Sequence, residues 1–196
     1  MDRIGPVCHH RSVIEHAAHP SLPPYVAPAA TRVGHVHLKV ADIPRALGFY
    51  RDLLGFEVQF DLGHAAFLSA GGYHHHIGLN TWESRGGEPP PPGATGLYHV
   101  AFAYPTRRDL AVVVRRLMDA GYPLDGGSDH TTHEAIYLRD PDGNGVELAW
   151  DRPESAWRPF WEQFRDDPRG LARLNRQLDF GSLMAEIDRP MEADTT

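Results

Sequence analysis

Two stretches, Val33–Val40 (VGHVHLKV) and Leu97–Tyr104 (LYHVAFAY), decide how this chain folds. Each alternates in polarity, as a strand with one buried face does. In the first, Val36, Leu38 and Val40 point one way, and His35, His37 and Lys39 the other. In the second, Val100 and Phe102 oppose His99 and Ala101. A helix should follow each strand. Asp42 is placed to cap one that carries Pro44 in its first turn. Ile43, Ala46, Leu47, Tyr50 and Leu54 form its apolar stripe, and Gly55 is a natural stop. Thr106, with Asp109 three residues on, resembles a capping box. Leu110, Val113, Val114 and Leu117 form the second stripe, ended by Gly121. Strands are expected at Phe56–Phe60, Ala65–Ser69 and His75–Trp82, then at Tyr122–Leu124, Ala135–Arg139 and Gly145–Trp150. The run from Asp140 to Gly145 (DPDGNG) signals a turn between the last two. A strand–helix–strands unit thus occurs twice, about sixty residues apart.

Outward from this repeat the patterning weakens. Residues 1–30 read as an extended arm, because the prolines of His19–Tyr25 (HPSLPPY) block helix and sheet. The proline-rich run 85–95 (RGGEPPPPGAT) reads as a semi-rigid linker. Beyond Pro153, Trp157, Phe160, Trp161 and Phe164 suggest a helix interrupted at Pro159. Further amphipathic pieces are expected near Leu171–Leu178 and Leu183–Ile187, with a disordered tip at Met191–Thr196. The expected organisation is an arm (1–30), one domain (31–153) and a helical tail (154–196). Within the domain, module one spans 32–84, the linker 85–95 and module two 96–153. The fold class is α+β: two βαβββ modules forming a curved mixed sheet around a metal site.

Composition narrows the function. The 196 residues are 41% apolar and 23% charged, with a formal charge of −7. An acidic chain suits neither nucleic acid nor an anionic membrane, which need a basic face. No apolar run is long enough to span a bilayer. The first residues lack the apolar core of a secretory signal, and the lone Cys8 cannot form an internal disulfide. A soluble, cytoplasmic protein is the expectation.

There are 13 histidines, and their placement carries the chemistry. His35 and His99 occupy equivalent positions in the two repeats. Glu147 lies within the apolar strand Val146–Trp150, pointing opposite to Val146, Leu148 and Trp150. A carboxylate there is expensive unless it is paired or bound to a cation. Two imidazoles and one carboxylate leave open coordination positions on a divalent metal, as oxygen chemistry requires. His35, His99 and Glu147 are therefore the candidate metal ligands. Phe67, Tyr73, Trp82 and Tyr137 are candidates to wall a ring pocket, with core packing the alternative for Phe67 and Trp82. Glu134 and Asp129 read as surface or loop charges.

These residues also carry a resemblance. Gly34-His35-x-x-Leu38-x-Val40, followed by a helix ending in FYRDLLGF, resembles the opening of a vicinal oxygen chelate module. LYHVAF resembles the opening of the second. His130, Tyr137, Asp140-Pro141-x-Gly143 and Glu147 follow the order of the extradiol dioxygenase signature. SAGGYHHHIGLNTW (69–82) is similar to the catechol 2,3-dioxygenase-like group. The resemblance covers residues 32 to about 153. It implies Fe(II), sometimes Mn(II), held by His35, His99 and Glu147. It further implies His75 as the acid–base residue, His130 and Tyr137 beside the substrate oxygens, and His37 near the metal. Substrates would be an aromatic diol and O2, and the protein a homodimer. Ser128, Thr132 and His133 depart from the family's pattern. Strict alternation sets His74 and His76, rather than His75, on the face of Gly78, so the residues alone leave the proton carrier open. Glyoxalase-type relatives place a fourth, carboxylate ligand where this chain has Gly78. The competing functions are a glyoxalase-type lyase or isomerase, and a non-catalytic binding protein of the antibiotic-resistance type.

Overall fold

The structure, a computed structural model, describes residues 25–164, 167, 169–170 and 175–190. By contact the chain divides into residues 1–33 and Gly34–Thr196. Residues 25–33 contain no strand or helix. The rest of the expected arm and the tip after Pro190 lie outside the described residues.

The second unit contains two sheets built alike. In the first repeat, β1 (Val36–Lys39) leads to α1 (Ile43–Leu47), which continues as a π-helical segment, Gly48–Leu53, before β2 (Glu57–Asp61), β3 (Ala65–Ser69) and β4 (Ile77–Asn80). In the second, β5 (Val100–Ala103) leads to α2 (Arg107–Asp119), then β6 (Gly126–Asp129), β7 (His133–Arg139) and β8 (Gly145–Asp151). The strand orders are β1-β4-β3-β2 and β5-β8-β7-β6, the latter extended by a short β9 (Arg176–Gln177). In each sheet the first strand runs parallel to the last, and the remaining pairs are antiparallel. The mixed α+β class is as expected, but the strands form two separately hydrogen-bonded sheets rather than one.

Local chemistry places the helices as the sequence indicates. The Asp42 side chain accepts from the Arg45 N–H. Thr106 and Asp109 form a reciprocal capping box. The expected stripes of both helices are buried, and Gly55 and Gly121 adopt the positive φ that ends each helix. Both repeats share one core. Phe102 of β5 packs on Phe56 at 5.0 Å, and Phe49 on Tyr122 at 5.0 Å between ring centres. The buried Tyr50 hydroxyl donates to Asp140 at 2.9 Å, and Asp142 accepts from the Ala41 N–H and from Arg45. Arg116 of α2 donates to the carbonyls of Asp52 and Leu53. These ties run through the helices and the β7–β8 turn, so the repeats meet on their helix sides.

Four details differ from the sequence reading. β6 begins at Gly126, not Tyr122, since Pro123 lacks the N–H a ladder needs. β4 begins only at Ile77, because residues 73–76 bend. α3 (Glu154–Phe164) runs through Pro159, losing one backbone bond but keeping its turn, with Arg158 paired to Glu154. Arg176–Gln177 form a strand edge on β6 instead of a helix; residues 171–174 lie outside the described set. The last expected piece is present as α4 (Phe180–Met184) and a 3-10 turn, Ala185–Asp188. Among the described residues, no helix is long and apolar enough to cross a membrane.

Candidate functional site

The register of the second sheet builds the first half of the site. Ala101 on β5 pairs with Glu147 on β8, which pairs with Tyr137 on β7. Residues paired across strands share a face, and His99, two positions before Ala101, shares it too. The backbone of Tyr98 and His99 reaches β8 because position 145 is glycine: a Cβ there would sit 2.0 Å from the Tyr98 carbonyl oxygen. His99 Nε2 consequently lies 2.8 Å from Glu147 Oε2. Glu147 Oε1 lies 3.2 Å from His133 Nε2. The His133 ring stacks on His130 at 4.6 Å between centres, and His130 Nε2 meets the Tyr137 hydroxyl at 2.7 Å. Tyr98, His99, Ser128, His130 and Tyr137 line a cleft of about 380 Å³.

Charge in this cluster is unevenly placed. Glu147 is buried, with a side chain only 7% exposed. Burial alone would push its carboxyl up. The hydrogen bond from His133 and the charges of His99, His133 and His130 outweigh this and hold it below the ordinary value. Burial, then the neighbouring His133, lowers the His130 imidazole and keeps it neutral at pH 7. Burial and the Glu147 charge push Tyr137 up to about 12, so its hydroxyl stays protonated and able to donate. The donor set suits a divalent ion. Imidazole nitrogen and carboxylate oxygen bond such ions at about 2.0–2.2 Å, so neighbouring ligands stand roughly 3 Å apart, as His99 and Glu147 do.

The first sheet carries a second cluster. His37 on β1 pairs with Gly78 on β4, which pairs with Phe67 on β3. With no side chain at Gly78, the His37 ring lies over β4; a Cβ on Gly78 would come within 2.9 Å of it. His37 thereby reaches Phe67 at 5.8 Å and Trp82 at 5.4 Å. The bend before β4 brings His75 against His35 at 4.5 Å and Phe67 at 5.1 Å. Strand alternation does not apply to His75, since it precedes the strand. His76 turns away, accepting from the Ala70 N–H and stacking on Tyr73. Burial, then the neighbouring histidines with His35 foremost, lowers the His75 imidazole.

The nine expected site residues therefore fall into two groups. His99, Glu147, His130 and Tyr137 stand together on the second sheet. His35, His37, His75, Phe67 and Trp82 stand together on the first. Among the described residues, no three His, Cys, Asp or Glu side chains of one chain are grouped to hold a metal. His35 stands beside His75 on the first sheet, while His99 and Glu147 pair on the second. The sequence reading noted His133 only as a departure from a family pattern, yet it contacts the buried carboxylate; its place directly opposite β8 in an antiparallel hairpin is the signal that could have found it. Glu134 and Asp129 are not loose surface charges. Glu134 is buried between Arg107 and Arg152, and Arg152 also binds Asp129.

Comparison with known proteins agrees with this architecture. Residues 32–148 match the model of the Glyoxalase/Bleomycin resistance protein/Dioxygenase superfamily. The chain is 40% identical over 116 residues to a catechol-2,3-dioxygenase of Bacillus subtilis (strain 168), covering 58% of this chain and 39% of that protein. It is 33% identical over 120 residues to a biphenyl-2,3-diol 1,2-dioxygenase of Rhodococcus globerulus, covering 61% and 63%. The chain thus spans less than two thirds of each of these relatives. A glyoxalase/dioxygenase from Nostoc punctiforme shares the fold with a TM-score of 0.55 at 22% identity, covering 68% of this chain and all of that one.

Proposed function

Because the chain belongs to the Glyoxalase/Bleomycin resistance protein/Dioxygenase superfamily, we propose that it is a metal-dependent extradiol dioxygenase, opening the ring of a catechol-type diol with O2. The observation that carries this reading is the His99–Glu147 pair, its donor atoms 2.8 Å apart, with His99 lining a cleft that His130 and Tyr137 also line. The similarity to proteins named as dioxygenases of catechol and biphenyl-2,3-diol supports the substrate class.

In this reading His35, His99 and Glu147 hold Fe(II), or Mn(II) in its place. A bound ion of this kind supplies redox and Lewis-acid chemistry and aligns the two reactants. The chain's own groups do the rest. Tyr137, kept protonated, donates a hydrogen bond to a substrate oxygen. His130, bonded to the Tyr137 hydroxyl, fixes that donor's direction. His75, neutral at pH 7, accepts the proton a diol loses on binding and returns it on ring opening. His37, Phe67 and Trp82 offer aromatic faces to the ring. Gly78 supplies no fourth ligand and its space is taken by His37, which favours the dioxygenase over a glyoxalase reaction.

An oxygen electrode tests the reading. Anaerobically iron-loaded protein mixed with a panel of catechols should consume O2 and yield a coloured ring-opened product. No uptake with any diol, alongside turnover of the methylglyoxal–glutathione adduct, would overturn it.

A further inference from the structure

We propose that the C-terminal segment supplies a substrate subsite. In it the carboxamides of Asn175 and Gln177, beside Ser128, recognise a neutral hydrogen-bonding substituent on the ring of the diol. This rests on the dioxygenase reading above and narrows its substrate class. Asn175 and Gln177 lie beyond the stretch 32–148 shared with the superfamily, so the superfamily's pattern does not account for them. Three observations carry the assignment.

First, register sets both side chains on the face of the site. β9 pairs antiparallel with β6, Gln177 opposite Ser128 and Arg176 opposite Asp129. One step further along, Asn175 stands opposite His130. Residues paired across strands share a face, and neighbours along a strand alternate. Leu178 is buried in the core that the helices share, and Arg176 binds Asp129. Gln177 and Asn175 therefore take the other side, that of Ser128 and His130. Asn175 lines the same cleft as His99, Ser128, His130 and Tyr137.

Second, the segment is built into the fold. The Leu178 N–H donates to the Gly127 carbonyl at 3.3 Å. Position 127 is glycine, which leaves room for the segment: a Cβ there would meet Ile136, Phe180 and Leu178 at 2.9, 3.0 and 3.1 Å. Leu183 of α4 is fully buried, and Arg107 donates to the Ser182 carbonyl and to Glu186. Third, the cleft offers neutral polar groups. Among the described residues, no hydrogen bond occupies the side chains of Asn175, Gln177 or Ser128. The Arg139 guanidinium, which also lines the cleft, is already bonded to Asp125 at 3.2 Å, so it is not free to receive a carboxylate. A carboxamide both donates and accepts, which suits a hydroxyl or carbonyl substituent. An alkyl group in the same place would displace water from the carboxamides without replacing its hydrogen bonds.

Matched diols test this. Ethylcatechol and its hydroxymethyl counterpart, substituted at the same ring carbon, differ only by a methyl group in place of a hydroxyl. Their kcat/KM values are compared by O2 uptake of the iron-loaded protein, and their Kd values by anaerobic calorimetry, without turnover. Both readouts are ratios, which a general loss of activity leaves unmoved. The wild-type protein should favour the hydroxymethyl diol by roughly 3–10-fold, the value of a neutral hydrogen bond, and should bind the carboxy counterpart more weakly. Asn175→Leu combined with Gln177→Met should bring the ratio close to unity. Asn175→Gln combined with Gln177→Asn, which keeps both carboxamides, should retain part of the preference. A wild-type ratio near unity, or a preference that survives the apolar pair of changes, overturns the subsite and leaves the dioxygenase reading standing. Equal loss in both pairs assigns the effect to the placement of the strand and overturns it too, as does tighter binding of the carboxy diol. No O2 uptake with any diol overturns the dioxygenase reading and the subsite with it.

Discussion

Across β1, β4 and β3, one row of side chains reads His37, Gly78, Phe67; across β5, β8 and β7, the equivalent row reads Ala101, Glu147, Tyr137. The backbone is the same and the chemistry is opposite. In the first row the middle position is empty, so the histidine ring folds over it and packs on aromatics. In the second row the edge position is small and the middle one is a buried carboxylate, toward which His99 and His133 turn. One ladder presents an aromatic wall with imidazoles, the other an acidic pocket. Duplicating a module provides symmetry, and changing the occupant of the middle strand assigns each copy its task. The positions flanking the rows differ in the same way. β8 needs Gly145 so that the Tyr98 backbone can approach; its counterpart on β4 is His76, whose carbonyl accepts from Val36 without such crowding.

Several substitutions break or sharpen this contrast. The largest effect should come from Glu147→Gln, which removes the charge that distinguishes the second row. Changes in groups merely supporting metal ligands cost 10–100-fold in affinity, so iron affinity should fall by at least about a hundredfold, read by anaerobic titration. His133→Ala removes the partner of the second carboxylate oxygen. It should weaken iron retention roughly 10–100-fold, and His133→Gln should recover part of that loss; an unchanged affinity would show the His133–Glu147 contact to be incidental. Gly145→Ala forces a methyl group against a backbone carbonyl and should destabilise the fold by about 1–3 kcal/mol. Chemical denaturation checks this, and the same change on the exposed Gly34 should cost far less.

The smallest effect concerns the outer edges, where β6 is extended by β9 and β2 has no such cover among the described residues. Asp129 on β6 binds Arg152 and Arg176. Burial raises its carboxyl, but the hydrogen bond from Arg152, the Thr131 N–H and both arginine charges leave it below the ordinary value. A carboxyl lowered on folding contributes stability above its unfolded pKa of about 3.9, and that contribution is lost as pH falls through the folded value. Asp129→Asn should therefore flatten the acid limb of the stability profile, lowering stability slightly near pH 7 and leaving it almost unchanged at acid pH, where the carboxyl is already protonated.

Much of this was legible in the sequence, for reasons of range. Helix caps, stripes and the Asp140–Gly145 turn depend on residues within a few positions of one another, and Asp42, Thr106, Gly55 and Gly121 act as read. The repeat identified His35 and His99 as equivalent and set Glu147 on the histidine face, because alternation survives any tertiary arrangement. It carried no information on which faces meet, since the packing of helix side on helix side depends on contacts such as Tyr50–Asp140, 90 residues apart. Separation in sequence also hid the burial of Glu134, whose partners lie on α2 and after β8, 27 and 18 residues away. His75 escaped the alternation argument because four residues before β4 bend instead of extending. Pro159 failed to break its helix because removing one backbone bond from an exposed helix is a local cost that the following turn survives.

The most direct test of the account is a crystal structure of the anaerobically iron-loaded protein, with the ion located by its anomalous scattering. The expected result is a strong peak bonded to His99 Nε2 and a Glu147 carboxylate oxygen at about 2.0–2.2 Å. A peak elsewhere, such as on the His74–His76 run, with His99 and Glu147 bonded only to each other, would contradict it.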